Sequence, residues 1–191
     1  MADEAQTTNR AYCRSYADVS PCGRYRYLLE REWRGTHDPK NWKWLGFKDG
    51  TGAECVHPKS ALFIMLNPST ADDTADDPTI RRCVGFAKAW KYEQLSVVNL
   101  FAYRATDPKE LYSAGDVIHA PRNQEVIECA ARDAGIIICA WGTHGAWGQQ
   151  GEIVRGWLAH HPLYALGFTK DGHPRHPLYL PAKASPVRMP G

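Results

Sequence analysis

Four short apolar runs, at 61–66, 95–101, 134–140 and 162–168, recur along the chain with helical patterns filling the gaps between them. Each has the length and the β-branched or aromatic content of a buried strand. Strands alternating with helices specify a parallel sheet wound by βαβ units. The first helix starts at Asp77 as N-cap with Pro78 in its first turn, and turns Ile80, Val84, Ala87 and the stem of Lys91 to one face. A second spans 121–132 with Val126, Ile127, Ala130 and Ala131 inward, and a third spans about 149–160 with Ile153, Trp157 and Leu158 inward. Ahead of these, 25–33 alternates as a strand, and 42–47, with Trp42 and Trp44 on one face, is its expected hairpin partner. Residues 1 to about 20 are expected to be loosely held and the Pro-rich end from Pro181 extended. The expected fold class is α/β, a three-layer α/β/α unit with a central four-stranded parallel sheet and an N-terminal β-hairpin.

With 191 residues, 43% of them hydrophobic, the chain suits one domain over 1–191 and is short for two. It contains nothing near the roughly 18 consecutive apolar residues of a membrane span, and its first ten residues lack a signal-peptide core, so a cytoplasmic protein is expected. The six cysteines form no C-x-x-C pair, which speaks against a zinc or iron–sulfur site. Cys83, Cys129 and Cys139 sit in apolar periodic segments and read as small buried hydrophobes.

A formal charge of +2 does not announce a nucleic-acid binder, yet from His160 onward Lys170, Arg175, Lys183 and Arg188 face a single acid, Asp171. That basic stretch suits either phosphate contact or a solvated surface. In an open parallel sheet, ligands collect beyond the carboxyl ends of the strands. The residues there are Asn67-Pro68-Ser69-Thr70, Asn99, Trp141-Gly142-Thr143-His144 and the loop 169–180.

Met65-Leu66-Asn67-Pro68-Ser69 resembles the first active-site motif of the uracil-DNA glycosylase superfamily, G-x-N-P-G in its mismatch-specific branch and G-Q-D-P-Y in its uracil branch. Val97-Val98-Asn99-Leu100 is similar to the strand carrying that superfamily's base-reading asparagine, Ile138-Cys139-Ala140-Trp141-Gly142 to its strand ending in Trp-Gly, and His176-Pro177-Leu178 to its late His-Pro motif. The string from Met65 to Asp72, with Asp77-Pro78-Thr79, also resembles a bacterial and phage family held to be a distant branch of the superfamily. The resemblance covers about residues 61–180.

It implies a monofunctional DNA glycosylase that hydrolyses an N-glycosidic bond without metal or organic cofactor, acting on DNA, away from membranes, as a monomer. Asn67 would position the attacking water, orienting it because an amide cannot take a proton; the alternative is a side chain capping the turn. His176 would hydrogen-bond the base oxygen where negative charge develops, with His173 as the competing histidine and His144 read as a loop residue. Asn99 would read a pyrimidine edge, or else bond loop backbone. Leu66, Pro68 and Arg175 complete the base- and DNA-binding set, and Leu178, followed by Tyr179, would wedge into the base stack. Ser69 stands where strict uracil enzymes carry a tyrosine that blocks 5-substituted rings, so a bulky 5-substituted pyrimidine, hydroxymethylated or glucosylated, is expected to fit.

Two departures qualify the transfer. The loop 70–78 has no aromatic residue to stack on a flipped base, leaving Tyr103 or Phe86 as substitutes if they are not core. Asp72, Asp73, Asp76 and Asp77 form an acidic cluster that is either capping and turn structure or, through Asp72, the source of the carboxylate that Asn67 lacks. A non-catalytic module binding flipped bases, and a hydrolase of free nucleosides, are the competing readings. A G-x-S-x-G elbow and a Walker loop are both missing from the sequence.

Overall fold

The computed structural model describes residues 12–33, 60–69, 71–107, 109–114, 120 and 122–190. They build one seven-stranded mixed sheet: β1 (Arg14–Val19), β2 (Arg26–Glu32), β3 (Ser60–Met65), β4 (Gln94–Asn99), β5 (Ala134–Cys139), β6 (Leu163–Ala165) and β7 (Val187–Arg188), in the order β1-β2-β4-β3-β5-β6-β7. The four runs read as strands are β3 to β6. They pair in parallel, with Phe63 opposite Val97 on one side and Ile138 on the other, and Cys139 opposite Ala165.

The sheet is wider than the expected four strands because β2 is not a flanking ribbon. It pairs antiparallel with β4, Leu29 opposite Val97, and every one of its residues is buried. Leu28 packs into the core of one face and Leu29 into that of the other, so exposing either would forfeit about 1.5–3 kcal/mol. Its hairpin partner is β1, from a stretch expected to be loose, and not 42–47, which lies outside the described residues. At the opposite edge, β7 extends the sheet and Met189 is buried, so the Pro-rich end is held and not simply extended.

Four helices are described: α1 (Pro78–Ala89), α2 (Lys109–Ser113), α3 (Asn123–Arg132) and α4 (Gln150–Trp157). In α1, Asp77 caps the amide of Ile80 at 2.8 Å and Pro78 occupies the first turn; Ile80, Cys83, Val84, Phe86 and Ala87 pack with Phe63, Met65 and Val97 on one face of the sheet. Lys91 falls beyond the helix, at φ 64°. Ile127, Ala130 and Ala131 of α3, with Val154 of α4 and Leu158 after it, pack on the other face against Leu62, Ile64 and Val98. Ile153, expected inward, is 42% exposed, and Val154 takes its place. The inward row of α4 runs at i, i+4 spacing through Gln150, Val154 and Leu158, which leaves Ile153 on the outer side. Val126 and Cys129 are half-buried, whereas Cys83 and Cys139 are fully enclosed. No helix among the described residues is long and apolar enough to cross a membrane.

Candidate functional site

At the carboxyl ends of the parallel strands lies a cavity of about 780 Å³. It collects Leu66, Asn67, Ser69, Asn99, Arg175, His176 and Leu178, seven of the residues singled out from sequence. Pro68 is buried and does not line it; its carbonyl accepts the amide of Ala105 at 2.9 Å.

The first wall forms where the chain leaves β3. Leu100 and Phe101 donate to Met65 and Leu66 carbonyls at 2.8 and 3.0 Å, so the segment after β4 continues zipped to the Asn67 loop. Asn67 Nδ2 donates to the carbonyls of Ala105 at 2.7 Å and Pro68 at 3.1 Å. Both partners can only accept, which settles the amide's orientation and leaves Oδ1 as the end available to a ligand or a water. The side chain therefore fastens the turn, as its capping reading expects, and also lines the cavity.

Asn99, the last residue of β4, is 1% exposed, and neither its amide nitrogen nor its amide oxygen has a partner. Leaving such a group buried and unpaired costs about 1–3 kcal/mol. Its backbone is held firmly. Asn123, at the start of α3, donates from Nδ2 to the carbonyls of Asn99 and Leu100, both at 3.0 Å, and Gln150 reaches the Leu100 carbonyl at 3.5 Å. Asn123 is a supporting residue that the sequence reading missed, being one polar residue at the front of an amphipathic helix with no motif around it.

The opposite wall comes from the loop after β6. His176 caps the short 3-10 turn Pro177–Tyr179, its Nδ1 accepting the amide of Leu178 at 3.3 Å. Nδ1 is thereby the unprotonated nitrogen of the neutral ring, and Nε2 carries the hydrogen. Burial lowers the imidazole's pKa, opposed by the nearby negative charge of Asp77, which favours this neutral form. His173 does not line the cavity, and its amide donates to Thr169 Oγ1 at 3.1 Å; of the two histidines, His176 is the one that does. Leu178 and Tyr179 stand at the rim, 41% and 75% exposed, beside the exposed Arg175.

Trp141 is buried beneath the cavity, with Gly145 and Gly151 packed on its indole; a Cβ on Gly145 would fall 2.0 Å from Trp141 Cδ1. Gly142, at φ 70°, adopts a conformation that L side chains rarely take, and its amide donates to the Pro174 carbonyl at 2.8 Å. The Trp-Gly pair thus joins the β5 exit to the His176 loop. Phe86 stacks on Trp90 at 5.5 Å in the α1 core, and Tyr103 meets Tyr25 edge-on, so neither lines the cavity as a stacking surface. Besides His176, the aromatic rings bordering it are Trp141, Tyr179 and His144, the last exposed in a 3-10 helix at 143–149 and not in a loop.

The acidic cluster resolves into structure. Asp72 Oδ1 accepts from the amides of Thr74 and Ala75, both at 2.9 Å, and from Thr74 Oγ1 at 2.7 Å, which lowers its pKa. It is not among the cavity's lining residues, so it does not supply the carboxylate that Asn67 lacks. Asp76 is buried against Arg31 at 2.8 Å and Tyr12 at 2.5 Å, and Asp77 caps α1. Asp77 is the carboxylate that borders the cavity.

Arg26, the first residue of β2, completes the lining and had no sequence signal, because a charged residue opening a strand reads as a solvated one. It is 2% exposed, donates from Nη1 to the Ala71 carbonyl, and has no partner at Nε. Desolvation pushes its pKa down to about 10, leaving it charged at neutral pH.

No curated protein and no solved structure matches the chain. One family matches over residues 26–178, a span that opens on Arg26, closes on Leu178 and contains every cavity-lining residue except Tyr179. The chain belongs to this family, described as a protein of unknown function (DUF1643).

Proposed function

We propose that the protein is a DNA glycosylase of uracil-DNA glycosylase-like architecture that flips a 5-substituted pyrimidine out of DNA and hydrolyses its N-glycosidic bond. The observation that carries this reading is the Asn99 amide, a donor and an acceptor side by side, buried and unpartnered at the cavity. A pyrimidine's Watson–Crick edge offers the complementary pair, and such a ligand would offset the cost of burying the amide. Asn67 Oδ1 accepts from the attacking water, whose oxygen bonds C1′ as the C1′–N bond breaks. The bonding pair leaves with the base, His176 Nε2–H donates to the base oxygen as charge collects there, and the water's proton ends on the released base. Arg175 at the rim meets phosphate, Leu178 and Tyr179 fill the gap left in the stack, and Ser69 leaves room for the 5-substituent. In this reading the protein works as a cytoplasmic monomer on single- or double-stranded DNA without a cofactor, and removal of hydroxymethylated or glucosylated cytosine would serve defence against phage.

The test is abasic-site formation by the wild-type chain and by Asn67→Ala on DNA carrying uracil, mismatched thymine, hydroxymethylcytosine or glucosylated hydroxymethylcytosine. Excision of one base that vanishes in the variant is expected. A Ser69→Tyr variant that handles a bulky base as well as the parent would remove the reason for preferring 5-substituted substrates. One observation favours a second reading, uracil or mismatch repair aside: the carboxylate bordering the cavity, Asp77, has Oδ1 engaged in capping Ile80, and a non-catalytic module that binds flipped bases needs no base catalyst. That module would bind DNA, survive Asn67→Ala and release no base from any of the four substrates.

A further inference from the structure

Arg26 lies outside the motifs that carry the resemblance, on a strand that joins the sheet from its N-terminal side. Its guanidinium crosses from β2 to the loop after β3, where Nη1 is fastened to the Ala71 carbonyl. Among the described residues no carboxylate lies within ion-pair distance of it, and Asp77, the nearest source of negative charge on the cavity wall, directs Oδ1 to the Ile80 amide. Arg31, one side of the same strand away, shows what a structurally employed buried arginine looks like here: Nε on Asp76 at 2.8 Å, Nη1 on the Glu30 carbonyl at 2.8 Å and Nη2 on the Asp72 carbonyl. Arg26 keeps its charge and its Nε–H donor without a counterpart, at a cavity it lines.

We propose that Arg26 is a charge-recognising residue of the cavity, selecting a heterocycle that is anionic or that becomes anionic when its bond to the sugar breaks. Its depth separates it from Arg175: a 2%-exposed guanidinium beside the Asn99 end of the cavity meets the ring, whereas the exposed rim arginine meets the backbone. Charge-assisted hydrogen bonds are about twice as strong as neutral ones, and a guanidinium this deeply buried is screened less than an exposed one. A base departing with the bonding electron pair would then find its negative charge met from two sides, by His176 Nε2–H and by Arg26. The last step rests on the glycosylase reading; the preference for an anionic ring does not.

The experiment uses the full chain and two free pyrimidines, 5-nitrouracil, which is ionised at neutral pH, and uracil, which is not. Calorimetric titration is expected to show 5-nitrouracil bound about tenfold more tightly by the wild type, with the difference abolished in Arg26→Gln and partly kept in Arg26→Lys. In the unmutated chain, the Nε–Hε resonance of Arg26 is expected to move with 5-nitrouracil and to stay in place with uracil, which secures a result even if Arg26→Gln does not fold. Equal binding of the two rings by the wild type, an unmoved resonance, or a preference that persists in Arg26→Gln overturns the proposal. Should abasic sites never form while the anion preference holds, the glycosylase reading falls and this one stands. On DNA, Arg26→Gln is expected to slow release of the base that the wild type excises about 10²-fold, and release of the same base made a better leaving group by an electron-withdrawing substituent much less. Equal slowing of both marks a structural loss and counts against the proposal.

Discussion

The loop that follows β3 and the cavity that it borders are equally rich in polar side chains, and they use them in opposite ways. In the loop, every buried charge has a partner: Asp76 holds Arg31 and Tyr12, Asp72 closes its own turn, Asp77 starts α1. In the cavity, Asn99 has neither of its amide atoms satisfied and Arg26 retains a free Nε–H. Folding tolerates uncompensated groups only where something outside the chain supplies the missing partner or the remaining structure outweighs them. Unpaired buried atoms also occur away from the cavity, at Glu32, Arg82 and Asn123, so what sets Asn99 and Arg26 apart is that their unpaired atoms belong to side chains lining it.

Stability and activity should come apart along that line. The largest effect is expected from Asp76→Ala, which strands Arg31 in the interior without its carboxylate and should cost about 3–5 kcal/mol in urea unfolding. A loss under about 1 kcal/mol would mean that the loop is not the scaffold it resembles. Next comes Asn99→Ala, where excision should fall about 10²-fold while the unfolding midpoint holds or rises, because an unpaired buried amide is removed. Unchanged excision with a lowered midpoint would reverse the assignment. Asp77→Ala should lose about 1 kcal/mol, the ordinary value of an N-cap, read by thermal melting.

A smaller effect lies in pH. Because burial holds the His176 pKa below its ordinary value of 6.5, excision should be flat through neutrality and decline only at more acid pH, a limb that His176→Gln should erase. The sign for stability follows the same shift. The unfolded chain takes up the proton at higher pH than the folded one, so this group erodes stability as pH falls through 6.5, and it contributes nothing above. The smallest effect is expected from Asp72→Asn, whose oxygen can still accept within the turn; stability should stay within about 0.5 kcal/mol and excision kinetics should match the parent.

How much of this was legible in the sequence depended on whether the signal was local. The parallel strands were readable because β3, β4 and the second half of β5 are covered on both faces, which forces continuous apolar runs, and α1 announced itself through Asp77-Pro78. Strand β1 was not readable: all six of its residues are half-buried, it sits at an edge, and its pairing with β2 uses backbone groups that any sequence carries. Ile153 reads as inward because it is apolar, whereas the buried row is headed by a polar residue, Gln150, followed by Val154 and Leu158. Asn67, Asn99 and His176 were legible as motif residues after strand ends, and the cavity gathers them. Arg26 and Asn123 were not, since what distinguishes them is burial and partners, which arise only when β2 meets the loop after β3 and α3 meets the end of β4.

The position of β2 also sets a timetable for the chain during its synthesis. In the sheet it lies between β1 and β4, yet β4 is made only after β3 and α1, so the β1–β2 hairpin emerges with Leu28 and Leu29 uncovered. At ordinary elongation rates that interval is on the order of several seconds, long enough for a chaperone to engage an apolar hairpin. The His176 turn follows later still, so a nascent chain holds no assembled cavity until β6 and the loop beyond it have left the ribosome. The cavity is thus assembled in one step, when the His176 loop closes over the ends of strands already in place.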